Sequence, residues 1–356
     1  MKLIWLRGIA LVLALVMAWP VPALAQEQTD PQTIAQALLD NLIAGDFAAA
    51  TAHFDSTMLG ALPPAALEQT WATLQQQTGA FHRELGTSTQ TVPGYTVVLI
   101  TLQFEQMVLD ARVAVSDEGL VGGLHFAPGT VPAYADLDAF TEQAVTVGMG
   151  KWALPGLLTL PAREGLFPAL VLVHGSGPQN RDEAIGPNKP FRDLAWGLAS
   201  NGIAVLRYDK RTLVHGAAMV EAGEFTVDDE TVDDALTAVE LLRGIEGIDP
   251  ERIFVLGHSL GGMVAPRIAS RDAGLAGVLI LAGSTRPFTD IYQEQIAYLL
   301  ALDTSLSDDE RARLLDETAR LVDATRAVDP STDPATLLFN APPSYWLDLN
   351  AYDPVS

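Results

Sequence analysis

The ten residues 253–262 constrain the fold of this chain more than any other stretch. An apolar run enters the sequence G-H-S-L-G at 257–261, and a helix-like segment follows at 263–269. Glycines two residues before and after a serine indicate a turn too tight for side chains on its flanks. Between a buried strand and a helix, the pattern predicts a nucleophile elbow that exposes the Ser259 hydroxyl above a sheet.

A second turn with the same setting lies upstream. The strand-like run 169–173 enters H-G-S-G-P at 174–178. At this place in an α/β sheet such a turn supplies one backbone N–H of an oxyanion hole, which we assign to Ser176, and the residue after the nucleophile supplies the other. The predicted site comprises the nucleophile Ser259, the oxyanion-hole amides of Leu260 and Ser176, and the turn residues Gly257, His258, Gly261, His174 and Gly175.

Neither turn histidine is predicted to act as a base. His258 is next to Ser259, but adjacent residues of a strand point to opposite faces, so its ring would point away from the nucleophile. No metal site or cofactor site is predicted, because His53, His82 and His125 lack metal-like spacing and are expected to be packed or surface residues.

The first 25 residues predict a signal peptide. Lys2 and Arg7 precede an apolar core at 9–19, and Ala23-Leu24-Ala25 forms a small-x-small cleavage site. No later run is long and uncharged enough to span a membrane. We therefore expect an exported protein, periplasmic or secreted, with no membrane span after cleavage.

Charge and cysteine content narrow the function classes. The chain has a formal net charge of −23, which repels nucleic acids and anionic membranes. It has no cysteine, so thiol nucleophiles and zinc–thiolate sites are excluded. Composition does not indicate an oligomeric state.

Residues 26–127 predict a small α+β domain. Three helices at 33–42, 48–54 and 63–77 precede three strands at 95–102, 106–115 and 120–126. This order and the phrase L-x-x-G-D-F-x-x-A-x-x-x-F from residue 42 resemble a cystatin-like or SnoaL-like roll, which implies a front domain of unknown role. The segment contains no cluster of catalytic residues, so we expect it to be non-catalytic. A Pro- and Ala-rich linker is predicted at 128–140.

From residue 141 to 356 strands and helices alternate, and the strands are continuously apolar. This pattern predicts a parallel α/β sheet covered on both faces, begun by an antiparallel hairpin near 145–160. Charged residues at 181–183 and 209–211 flank the predicted turns. The second group is interpreted as ion pairs that hold the loop after the strand-like run 203–208, whereas the first could equally line the pocket.

These motifs together resemble the α/β-hydrolase superfamily, in its branch of bacterial carboxylesterases and serine aminopeptidase-like enzymes. The motifs that carry the resemblance are H-G-S-G-P at 174–178, R-D-E at 181–183, G-P-N-K-P-F-R-D-L-A at 186–195, R-Y-D-K-R at 207–211 and G-H-S-L-G-G at 257–262. The resemblance implies a Ser-His-Asp triad, an acyl-enzyme on Ser259, and a small ester or short peptide as substrate.

The sequence departs from the family in one respect. The family places the triad acid and histidine after the serine, but the last histidine of this chain is His258. The stretch 286–350 is helical in pattern and resembles the family's lid. We therefore expect an N-terminal fragment that lacks the last two strands, the triad acid and the histidine, and whose activity is in doubt. His215 is the alternative base if the chain is complete.

Three functions remain open from the sequence. An ester hydrolase is the first, and an aminopeptidase-like amidase of the same fold is the second. The amidase needs an acidic group that captures a free amino terminus, and the lid carries Asp316, Glu317 and Asp323. The third is a non-catalytic binding protein with a decayed or truncated hydrolase domain.

Overall fold

A computed structural model describes residues 30–186 and 188–355 of the chain. The predicted signal peptide lies outside this range. Contacts divide the described residues into two compact units, one ending at Ala133 and the other beginning at Tyr134. The division falls within the predicted linker at 128–140.

The first unit is a group of helices followed by an antiparallel sheet of four strands in the order β1-β2-β3-β4. The elements are α1 Pro31–Ala44, α2 Phe47–Ala50, α3 Ser56–Ala61, α4 Pro64–Thr78, β1 Phe81–Val92, β2 Tyr95–Phe104, β3 Val108–Ser116 and β4 Val121–Pro128. Apolar residues of α1 and α4 pack on one face of the sheet, with Leu39, Trp71 and Ile100 in the core.

Strand β1 was missed in the sequence. Its segment reads F-H-R-E-L-G-T-S-T-Q-T-V, which is mostly polar and lacks the apolar run by which strands were recognised. The strand forms because Leu85 is buried and because the backbone pairs with β2, with register shifts near Arg83 and Gly86. Pairing with a neighbouring strand therefore overrides weak local propensity.

The second unit contains a six-stranded sheet in the order β10-β9-β7-β8-β6-β5. The strands are β5 Phe140–Val147, β6 Leu154–Pro161, β7 Phe167–Val173, β8 Ala204–Tyr208, β9 Ile248–His258 and β10 Gly277–Leu281. Strands β8, β7, β9 and β10 are parallel, whereas β5 and β6 form an antiparallel hairpin at one edge. The predicted parallel sheet with an initial hairpin is confirmed.

The helices of this unit are α5 Pro190–Ser200, α6 Arg211–Ala222, α7 Asp233–Arg243, α8 Leu260–Arg271, α9 Phe288–Leu302, α10 Asp308–Arg326 and α11 Pro343–Ala351, with a π-helical turn at Asp228–Val232. Helix α6 was not predicted. The last three helices occupy the predicted lid at 286–350. No helix in the described part of the chain is long and apolar enough to cross a membrane.

The register of the central strands brings the two predicted turns together. Val173 at the end of β7 lies opposite Gly257 near the end of β9. Because parallel strands end at the same edge of a sheet, the segments that follow them meet there. The core beneath this edge is apolar, with Val171, Val255 and Val264 fully buried.

Candidate active site

Ser259 lies between β9 and α8 in a backbone conformation that side-chain-bearing residues rarely adopt. Its φ is 53° and its ψ is −115°. Its amide donates a hydrogen bond of 2.9 Å to the carbonyl of Leu281, at the end of β10. Strain of this kind costs on the order of 1–3 kcal/mol and persists only where the surrounding structure enforces it.

The glycines around Ser259 are required by close backbone contacts. A β-carbon on Gly257 would overlap the carbonyl of Gly261, and one on Gly261 would lie 2.5 Å from the carbonyl oxygen of Val173. A β-carbon on Gly262 would lie 2.9 Å from the carbonyl oxygen of Gly257. Real β-carbons do not approach backbone so closely, so the turn cannot form with larger residues at these positions.

The turn at 174–178 contacts the elbow directly. The amide of Gly261 donates to the carbonyl of His174 over 3.0 Å. A β-carbon on Gly175 would lie 3.2 Å from the β-carbon of Ser259. The structure therefore brings together Ser259 and the two turns singled out in the sequence.

Two backbone amides at this junction stay unpaired. Within residues 30–186 and 188–355, neither the N–H of Leu260 nor that of Ser176 has a hydrogen-bond partner. Leu260 is the first residue of α8, where the helix dipole is positive. By contrast, the N–H of Gly175 donates to Glu183 Oε1 over 2.7 Å and is not available to a ligand.

Glu183 is a part of the site that was only loosely anticipated. The buried carboxylate accepts from Gly175 and also contacts Nδ1 of His258 at 2.9 Å through the same oxygen. One carboxylate thus bridges the two turns. The backbone of Glu183 has a φ of 48°. The side chain of Asn180 stabilises this tight segment by accepting hydrogen bonds from the amides of Asp182 and Ala184. A positive φ at a glutamate has no signature in the sequence.

The three histidines of this unit have separate environments. The hydrogen bond with Glu183 raises the pKa of His258. Burial, helped by the positive charge of Lys210, lowers the pKa of His174 to about 3, so this ring is neutral. His215, the alternative base, contacts the carbonyl of Ala153 at 2.9 Å and packs on Trp152. None of these contacts joins a ring nitrogen to Ser259.

Asp209 and Lys210 hold the turn at 174–178 and the loop that follows it. Asp209 forms a bidentate pair with Arg181, with a shortest distance of 2.7 Å. The side chain of Lys210 donates to the carbonyl of Gly175 over 2.8 Å, and its amide donates to the carbonyl of Gln179 over 3.0 Å. The predicted ion pairs are present, but they hold the preceding turn as well as their own loop.

Two buried ion pairs extend from this segment. Lys210 lies 3.0 Å from Glu230, and the hydroxyl of Tyr345 donates to Glu230 over 2.8 Å. Arg207 joins Asp182 to Glu142, whose pKa is raised by burial. Asp182 is therefore structural and does not line an open pocket.

The lid acids that could have captured an amino terminus are paired on their own helix. Asp316, Glu317 and Asp323 lie on α10 with arginines three or four residues away, at 2.8, 2.9 and 3.5 Å. Helix α10 begins with a capping box, in which Ser307 and Glu310 exchange hydrogen bonds. These acids therefore belong to a solvated helix face.

Comparisons with known proteins agree with the fold. The model of the alpha/beta hydrolase family matches residues 170–355, and the chain belongs to this family. Residues 35–124 match a family described as a protein of unknown function, DUF3887. The first match covers Ser259 and the last three helices, and the second lies inside the predicted front domain.

Two curated relatives are similar to this chain. Esterase EstD of Thermotoga maritima is 38% identical over 295 residues, which is 82% of this chain and 67% of EstD. Quorum-quenching protein AidA of Acinetobacter baumannii is 26% identical over 187 residues, which is 52% of this chain and 56% of AidA.

Solved structures match this chain at lower similarity. Brefeldin A esterase is 22% identical, with a TM-score of 0.34 over 64% of this chain and 55% of that chain. The 2,6-dihydroxy-pseudo-oxynicotine hydrolase is 21% identical, with the same TM-score over 52% of this chain and 49% of that chain.

Proposed function

We propose that this protein is a serine hydrolase that cleaves carboxylic esters through an acyl-enzyme on Ser259. The observation that carries the proposal is the strained Ser259 next to two unpaired amides, those of Leu260 and Ser176. The 38% identity to a protein named an esterase supports the ester as substrate class.

The chemistry follows from these groups. The Ser259 oxygen attacks the ester carbonyl carbon and gives its proton to a base, and the carbonyl oxygen becomes an oxyanion that accepts from both amides. The carbon–oxygen bond to the alcohol then breaks, and the alcohol leaves with a proton. Water attacks the acyl carbon, which releases the acid and restores the serine.

The ester is favoured over a peptide with a free amino terminus. Capture of an ammonium group requires a carboxylate that is not already neutralised. Three acids of α10 each have an arginine partner on the same helix, so none of the three is a free carboxylate: Asp316 with Arg320, Glu317 with Arg313 and Asp323 with Arg326.

The base is not assigned to a described histidine. His174 and His215 contact backbone carbonyls, and His258 contacts Glu183. This observation favours the non-catalytic binding protein as the second candidate. A serine without its triad partners loses up to about 10⁶ in rate, so the two candidates differ measurably.

Hydrolysis of p-nitrophenyl acetate and p-nitrophenyl butyrate tests the proposal, with alanine p-nitroanilide as the amide. We expect ester turnover that Ser259→Ala abolishes and that Ser270→Ala, an exposed serine on α8, leaves unchanged. Turnover of the anilide in preference to the esters would favour the amidase. If the wild type hydrolyses the esters no faster than Ser259→Ala, the result would favour the non-catalytic binding protein.

We further propose that the protein is exported. Lys2, Arg7 and the Ala23-Leu24-Ala25 sequence support cleavage after Ala25. Amino-terminal sequencing of the protein recovered from cells tests this, with Gln26 as the expected first residue. A start at Met1 would contradict cleavage after Ala25.

A further inference from the structure

We propose that Lys210 is a positioning residue that orients the peptide between Gly175 and Ser176, so that the Ser176 amide faces the reacting carbonyl. The inference rests on the proposed function, because it concerns the oxyanion amide of that same site. Lys210 itself does not touch the substrate in this proposal.

The first step is the geometry of the peptide unit. Lys210 Nζ donates to the carbonyl oxygen of Gly175 over 2.8 Å. That carbonyl and the N–H of Ser176 belong to one planar trans peptide, in which the two bonds point in opposite directions. A cation that fixes the carbonyl on one side therefore fixes the N–H on the other side. The charge also polarises the peptide, which makes the N–H a stronger donor.

The second step concerns the hydrogen bonds that restrain the backbone at Gly175. The N–H of Gly175 donates to Glu183, and the turn is tied further by the amide of Lys210 to Gln179. Gly175 is buried but has no side chain, and Ser176 is exposed, so the orientation of this peptide depends on its hydrogen bonds as well as on packing. Charged hydrogen bonds on both sides of Gly175 supply the rigidity that an oxyanion hole needs.

The third step is what holds Lys210. The side chain is 2% exposed and lies 3.0 Å from Glu230, which accepts from the hydroxyl of Tyr345. Tyr345 lies on α11, so a continuous polar chain joins this lid helix to the oxyanion peptide. A buried ion pair is expensive unless its geometry is well satisfied, and a role beyond stability is consistent with its presence.

The test uses the full chain with Lys210→Met combined with Glu230→Gln, which removes both buried charges together. The control is Arg211→Met combined with Asp234→Asn, a neighbouring ion pair that does not contact the turn. Both proteins are checked for cooperative unfolding. The reactivity of Ser259 is measured as its rate of labelling by a fluorophosphonate.

A second readout does not depend on activity. Labelling glycine with ¹³C at the carbonyl and serine with ¹⁵N gives one signal for each Gly–Ser peptide, and the sequence has two, at 175–176 and 283–284. In the Lys210 variant we expect the carbonyl signal of Gly175 to move upfield, whereas that of Gly283 stays in place. In the control neither signal moves.

The labelling rate is expected to fall roughly 10²-fold in the Lys210 variant and to stay at the wild-type value in the control. An unchanged rate or an unmoved Gly175 signal overturns the inference, and the proposed function then stands. If wild-type Ser259 does not react, the proposed function fails, and the Gly175 signal still decides whether Lys210 holds this peptide.

Discussion

Ser259 and its glycines act as one unit at the scale of single residues. The positive φ of Ser259 is stabilised because Gly257, Gly261 and Gly262 let three backbone segments approach each other. The serine and its glycines lie within six consecutive residues, and therefore the sequence alone predicted the turn, whereas its contacts with Val173 and Gly283 come from distant segments. Strain and glycine content are two aspects of the same tight turn.

Gly261→Ala tests this tight packing. The new β-carbon would lie 2.5 Å from the carbonyl oxygen of Val173, so we expect a loss of about 3 kcal/mol or more in the free energy of unfolding. Gly244→Ala is the control, because its β-carbon would lie 3.6 Å from the carbonyl oxygen of Leu241. Urea denaturation that ranks the two variants equally would contradict the packing argument.

A second prediction at this scale concerns His174. Burial lowers its pKa to about 3, whereas an unfolded histidine has a pKa of about 6.5. Between these values the unfolded chain binds a proton that the folded chain does not, so stability falls as the pH falls below about 6.5. This group alone contributes a loss of about 1.4 kcal/mol between pH 7.5 and 5.5.

Urea denaturation at these two pH values measures the loss. His174→Gln is expected to lose less stability on acidification than the wild type, by that amount. His215→Gln, a partly exposed histidine of the same unit, serves as the control and should retain the wild-type pH dependence. A wild-type slope in His174→Gln would mean that His174 is not the titrating group.

At the scale of elements, contacts distant in sequence were the ones that escaped prediction. The bond from Lys210 to Gly175 spans 35 residues and depends on the pairing of β7 with β8. Glu183 bridges the two turns from a backbone conformation with a positive φ, which no local sequence pattern encodes. Strand β1 was missed because its partner, and not its own composition, makes it a strand. Local motifs and apolar periodicity predicted the remaining strands.

Strand β10 lies at the edge of the six-stranded sheet and exposes apolar side chains. It pairs with β9 on one side, and among the described residues no strand pairs with its other side. Leu279, Ile280 and Leu281 are 44%, 48% and 41% exposed. An unpaired, apolar, uncharged edge is a template for intermolecular pairing.

Ile280→Lys is therefore expected to reduce self-association of the protein without lowering the free energy of unfolding. Leu166→Lys changes an exposed leucine away from this edge and is expected to leave self-association unchanged. Light scattering over a concentration series measures both. Equal self-association of Ile280→Lys and the wild type would show that this edge is not involved.

At the scale of the whole molecule, two units with different architectures share one chain. The helix-and-sheet unit at 30–133 has its own core, and the α/β unit from 134 contains all the residues of the candidate site. The order of elements in the sequence indicated both units. The chemistry is therefore expected to belong to the second unit.

Intact mass spectrometry after treatment with a fluorophosphonate tests most directly whether Ser259 is the nucleophile of this site. We expect one adduct on the wild-type chain, located on the peptide that contains Ser259, and none on Ser259→Ala. A folded wild-type chain that gains no adduct, or an adduct that persists in Ser259→Ala, would contradict a nucleophilic role for Ser259.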